Sequence, residues 1–89
     1  MTAKYRVEFN KAYLKDLEKI PLRARNQIRE SVSSLAYDPR PDGCKKLQGN
    51  KNPPLYRIRS GDYRVIYTIQ DHLLLVLVIE VGHRREIYR

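Results

Sequence analysis

The sequence predicts an α+β domain: an N-terminal strand, a two-helix hairpin, then a mainly antiparallel sheet of about four strands. Three observations predict it. Period-two alternation opens the chain at Lys4–Phe9, helical spacing runs from Tyr13 to Leu35, and a hairpin pattern with a long apolar run follows. The order β-α-α-β-β-β leaves both helices to pack on one face of the sheet. Eighty-nine residues make a single domain, residues 1–89.

In Lys4–Phe9, Tyr5, Val7 and Phe9 alternate with Lys4, Arg6 and Glu8, the pattern of a half-buried strand. Asn10 is the expected N-cap of the next helix, its side chain accepting an orphan backbone N–H. Tyr13, Leu14, Leu17 and Ile20 form that helix's apolar stripe. Pro21 interrupts it and suits the opening turn of a second helix, whose stripe is Ala24, Ile28, Val32 and Leu35. Asp38-Pro39 ends the helix, and Asp38 to Pro54 reads as a long basic loop rich in Pro, Gly and Asn. Leu55–Arg59 and Tyr63–Ile69, joined by Ser60-Gly61-Asp62, read as a β-hairpin. Asp71-His72 is a second turn, leading into Leu73–Val81, which is apolar at both parities and therefore suits a central strand covered on both faces.

Eighteen Lys and Arg against ten Asp and Glu give a net charge of +8, which favours nucleic acid or an acidic protein as partner. No basic amphipathic helix with an aromatic face is present, so a membrane partner is not expected. No signal-peptide pattern opens the chain and the one cysteine, Cys44, builds no disulfide framework, which together suggest a soluble cytoplasmic protein.

The chemistry concentrates in the hairpin and the tail. Side chains two apart on a strand share a face, so Arg57 and Arg59 project together and Arg64 extends the row from the partner strand. Guanidinium groups pair bidentately with phosphate oxygens and stabilise charge developing on a pentacoordinate phosphorus, but they are poor proton carriers. The tail supplies His83, Arg84, Arg85 and Tyr88: an imidazole that titrates near neutrality, further cations, and a phenol on which a base can stack. Whether the tail emerges beside the arginines turns on strand order. These groups suffice for RNA cleavage without a metal, in which a ribose 2′-OH attacks the adjacent phosphorus. No cofactor is expected, and His72 and His83 form no carboxylate–histidine cluster at metal-ligand spacing.

The runs KLQGNKNPPLYRIRSGDYRVIYTI and VGHRREIYR closely resemble the RelE/ParE superfamily of toxins from toxin–antitoxin modules, and element order and size resemble it over essentially the whole chain. The resemblance implies a RelE-like microbial RNase fold. It also implies either cleavage of mRNA in the ribosomal A site, as in the RelE branch, or poisoning of DNA gyrase, as in the ParE branch. A further alternative is a binding module serving only the antitoxin or operator complex. On this resemblance Arg57, Arg59, Arg64 and Arg84 are expected to bind phosphate, Tyr88 to orient the nucleotide, and His83 to carry the proton. Arginine at 57 and 59, where relatives often have lysine, is what moves the proton chemistry to His83. Lys45, Lys46, Lys51 and Arg85 are expected to dock RNA or the ribosome. The implied partners are an acidic RelB-like antitoxin, the ribosome and mRNA, with operator DNA reached only through the antitoxin. The sequence reads to Arg89 without the extra C-terminal helix of some members, so inhibition is expected to work by covering the basic face.

Overall fold

The computed structural model describes residues 3–49, 52–83 and 85. The N-terminal alternation becomes β1 (Arg6–Phe9), and two helices follow, α1 (Lys11–Glu18) and α2 (Leu22–Ser34). The strands β2 (Lys45–Lys46), β3 (Leu55–Ser60), β4 (Tyr63–Gln70) and β5 (Leu75–His83) complete the chain order. They form one five-stranded sheet in the order β1-β5-β4-β3-β2, with β1 parallel to β5 and every other pair antiparallel.

The fold class agrees with the sequence, and the fifth strand is the addition. Lys45 and Lys46 lie within the expected loop, yet they pair with Arg57 and Tyr56 at the sheet edge. Two residues carry too little alternation to announce a strand. What holds this segment is tertiary. Arg40 donates to both carboxylate oxygens of Asp71 at 3.2 and 2.9 Å, and lies 5.3 Å over the Tyr56 ring. Tyr67, fully buried, donates its hydroxyl to the Pro39 carbonyl at 2.8 Å.

The helices cover one face of the sheet. Tyr13, Leu17, Ile28, Val32 and Leu35 meet Ile58, Val65, Tyr67, Val76, Val78 and Val81 in a continuous core. Burying an aliphatic side chain fully contributes about 1.5–3 kcal/mol, so the paired stripes decide which helix faces turn inward. Two details differ from expectation. Leu14 remains 48% exposed, because α1 ends at Glu18 and packs through Tyr13 and Leu17. Asn10 does sit at the N-cap, but its side chain makes no capping hydrogen bond.

At the hairpin, Ser60 pairs with Tyr63, so the turn is the two-residue Gly61-Asp62 rather than three residues. Gly61 has φ +60°, and a glycine at the first central position is the pattern of a type II′ turn. β5 is central, as its apolar run implies, but it begins at Leu75. Asp71–Leu73 is a 3-10 turn, and Leu73 and Leu74 are 57% and 42% exposed.

One irregularity in β5 matters for the site. Tyr67 pairs with Val78 and Ile66 with Glu80, so Ile79 is the extra residue of a β-bulge. Before the bulge, Val76 and Val78 face the helices; after it, Val81 does, in register with Val65. The bulge exchanges the two faces of the strand's last residues.

A candidate nucleic-acid interface

The hairpin register aligns the expected cations. Arg59 stands directly opposite Arg64 and Lys45 opposite Arg57, so these four residues share the face away from the helices. Directly paired residues on adjacent strands lie about 4.5–5.5 Å apart, where like charges repel. Arg57 and Arg64 are nonetheless buried, 5% and 7% exposed, and each has an interaction partner within the chain, whereas Arg59 and Lys45 are exposed. Two guanidiniums are thus fixed in place and two cations reach outward. On its other side Arg64 pairs with Gly82, which brings no side chain.

Strand order brings the tail to this end of the sheet, because β5 adjoins β4 and Gly82 meets Arg64. His83, however, does not join the arginines. It pairs with Tyr63, on the helix-covered face, and its ring contacts Tyr63 edge-on at 5.7 Å and 79°. The expectation of an imidazole among the guanidiniums is corrected here, and the bulge at Ile79 is the reason. The His83 Nδ1 accepts the Arg85 backbone N–H at 3.3 Å, so the neutral ring carries its proton on Nε2.

The other expected residues divide. Lys46 pairs with Tyr56 and so points to the opposite face from Lys45; both are exposed, as is Arg85. Lys51, Arg84 and Tyr88 lie outside the described residues. Tyr56 and Tyr67, paired across β3 and β4, stack on each other at 5.9 Å, which makes them packing groups. Residues from α1 were not visible as site candidates. Asp16, Lys19 and Ile20 join Tyr63, Val81, Gly82 and His83 around a cleft of about 340 Å³ at the sheet's end. No local motif marks them, since only the packing of α1 on β5 brings them there.

The model of the ParE toxin of the type II toxin–antitoxin system parDE matches residues 7–88. The chain belongs to the RelE/ParE toxin superfamily. It is 30% identical over 86 residues to the mRNA interferase toxin RelE of Escherichia coli (strain K12), covering 94% of this chain and 90% of that protein. It is 32% identical over 89 residues to toxin RelG of Mycobacterium tuberculosis, covering 96% of this chain and 97% of that one. Among solved structures, the archaeal RelE–RelB complex from Pyrococcus horikoshii OT3 gives a TM-score of 0.80 at 31% identity, covering 93% of this chain and 98% of that chain. This RelE-like toxin therefore has the family fold, with its own arginine row built on the central hairpin.

A second cluster serves the scaffold. The Arg40 hydrogen bonds, then that from the Tyr5 hydroxyl at 2.6 Å, hold the Asp71 carboxyl at about 2, well below its ordinary value. The hydrogen bond to Asp71 raises Tyr5, and burial raises Tyr67 and Tyr13. None of these phenols is thereby prepared as a base.

Proposed function

We propose that this RelE-like toxin is an mRNA endonuclease that acts on the ribosome by metal-independent 2′-OH attack, inhibiting translation when its antitoxin is lost. The new 2′-O–P bond displaces the 5′ oxygen to leave a cyclic phosphate, and the proton of the 2′-OH passes through solvent to that leaving oxygen. The observation that carries the reading is the cationic row on the sheet face away from the helices: Arg59 opposite Arg64, and Lys45 opposite Arg57, with Arg59 and Lys45 exposed. Two fixed guanidiniums beside the side-chain-free Gly82 suit a phosphodiester whose charge grows in the transition state, because preorganised donors need no rearrangement. Arg59 and Lys45 steer the backbone in, and Lys46, Lys51 and Arg85 add salt-dependent affinity for ribosomal RNA. Arg84 and Tyr88 complete the site by resemblance to RelE toxins, as phosphate ligand and nucleotide-orienting ring. The imidazole lies across the sheet, so phosphate binding and charge stabilisation, not histidine acid–base chemistry, are what this face supplies. The ribosome provides in-line alignment, which an open face cannot impose on a flexible strand.

Relatives named mRNA interferase support the activity, and the RelE–RelB complexes support a RelB-like antitoxin as partner; that it is acidic and covers the basic face is part of the same proposal. A gyrase poison on the same fold is the second reading, favoured by the ParE description of the matching family model. Primer extension after induction separates the two. Codon-phased cuts confined to translated copies of a message support the endonuclease, and Arg64→Ala should slow them about 10²–10³-fold with the fold intact. Intact message with a supercoiling defect would overturn it.

A further inference from the structure

The cleft at the end of the sheet is separate from the arginine row, yet touches it at one residue. Gly82 pairs with Arg64 on the open face and also lines the cleft between α1 and the ends of β4 and β5. Two buried apolar residues, Ile20 and Val81, back the cleft, whose lining is otherwise largely polar. One wall is aromatic: Tyr63 and His83, both half-buried, meet edge-on at 5.7 Å. Asp16 and Lys19, from the end of α1, bring one carboxylate and one ammonium to the same space. At about 340 Å³ it lies at the small end of ligand-site volumes.

An aromatic wall with hydrogen-bonding groups beside it is what an unpaired nucleobase requires. Resting on the endonuclease reading, we propose that this cleft binds the base of the nucleotide flanking the scissile phosphate. The strand turns round the sheet's end at Gly82, its phosphate on Arg59 and Arg64 and its base against Tyr63 and His83. Asp16, ionised, only accepts hydrogen bonds, so it selects an edge bearing an amino donor and disfavours uracil, whose single imino donor lies between two carbonyl oxygens. Lys19 donates to a ring nitrogen or carbonyl on the same base. His83 is therefore a positioning and recognition residue for the flanking base.

The test uses the full-length toxin and programmed ribosomes whose messages differ only in the base flanking the cut. Wild type should cut amino-bearing bases faster than uracil, and Asp16→Asn should shrink that preference about tenfold, the size of one charge-assisted hydrogen bond. His83→Ala should raise KM about five- to a hundred-fold through lost stacking, and His83→Phe should restore it. In both variants the pH–rate profile should keep the wild-type shape. If His83→Phe stays as impaired as His83→Ala and a limb of the profile disappears, histidine carries the proton and the base site is overturned. An unchanged preference in Asp16→Asn overturns it equally. If wild type cuts no ribosome-bound message, the endonuclease reading itself fails, which is a distinct result.

Discussion

Replacing Arg59 by glutamine should make the free toxin more stable while slowing it. Arg59 pairs directly with Arg64, so two permanent cations face each other across neighbouring strands. A separation of about 5 Å in water costs about 0.8 kcal/mol by Coulomb's law, within the range of about 0.2–1 kcal/mol for cross-strand pairs. Arg59 is exposed and forms no ion pair among the described residues, so its removal forfeits little else. Glutamine keeps most of the side-chain length and removes the charge. For a domain of this size, about 0.8 kcal/mol corresponds to a rise in Tm of about 3–6 °C. The gain is electrostatic and must shrink with salt, because the screening length falls from about 30 Å at 0.01 M to about 3 Å at 1 M. Thermal denaturation at those two ionic strengths reads both quantities, and a cleavage assay on the same protein should show the loss of rate. A fall in Tm, or a rise that persists at 1 M salt, would refute a repulsive contribution from the Arg59–Arg64 pairing.

Other perturbations probe the scaffold. The Asp71 carboxyl sits at about 2 in the fold against an ordinary 3.8, so its contribution is complete above about pH 4 and is lost as pH falls towards 2; Asp71→Asn should flatten that part of an acid-unfolding curve. Tyr67→Phe removes the donor to the buried Pro39 carbonyl and should cost about 1–3 kcal/mol, read by urea denaturation. Gly61→Ala should cost about 1–2 kcal/mol through the positive φ alone, since an added Cβ would find its nearest atom, Gln27 Oε1, at 4.0 Å; Gly61→Asn should cost less.

Much of this fold was legible because its signals are local. The hairpin follows from Gly61 and two alternating runs, but its register does not: the turn closes on Gly61-Asp62 instead of three residues, and that is what aligns Arg59 with Arg64. The central place of β5 follows from apolar residues at both parities. Features depending on distant contacts were hidden. β2 exists because Lys45 and Lys46 reach β3, next to a loop tied down by Arg40, Asp71 and Tyr56. Leu14 looks like core in the helical pattern, yet α1 is short and angles that side away. The bulge is the most consequential case. Apolar residues occupy nearly every position of Leu75–Val81, so nothing in their identity reveals that Ile79 breaks the alternation.

That single extra residue determines which chemistry stands at each face. With unbroken alternation, His83 would share the face of Leu75 and Leu77, and therefore of Arg64, placing an imidazole beside the phosphate ligands. With the bulge, Gly82 takes that position and His83 turns to Tyr63. Two consequences follow from the same backbone irregularity. The arginine row gains a neighbour without a side chain one strand over, where an imidazole would otherwise stand. The opposite side gains an aromatic wall, which a glycine could not provide. The proposed ribonuclease site, with guanidiniums on one face and a base-sized cleft on the other, would need both, and the sheet's end is where one nucleotide could touch both.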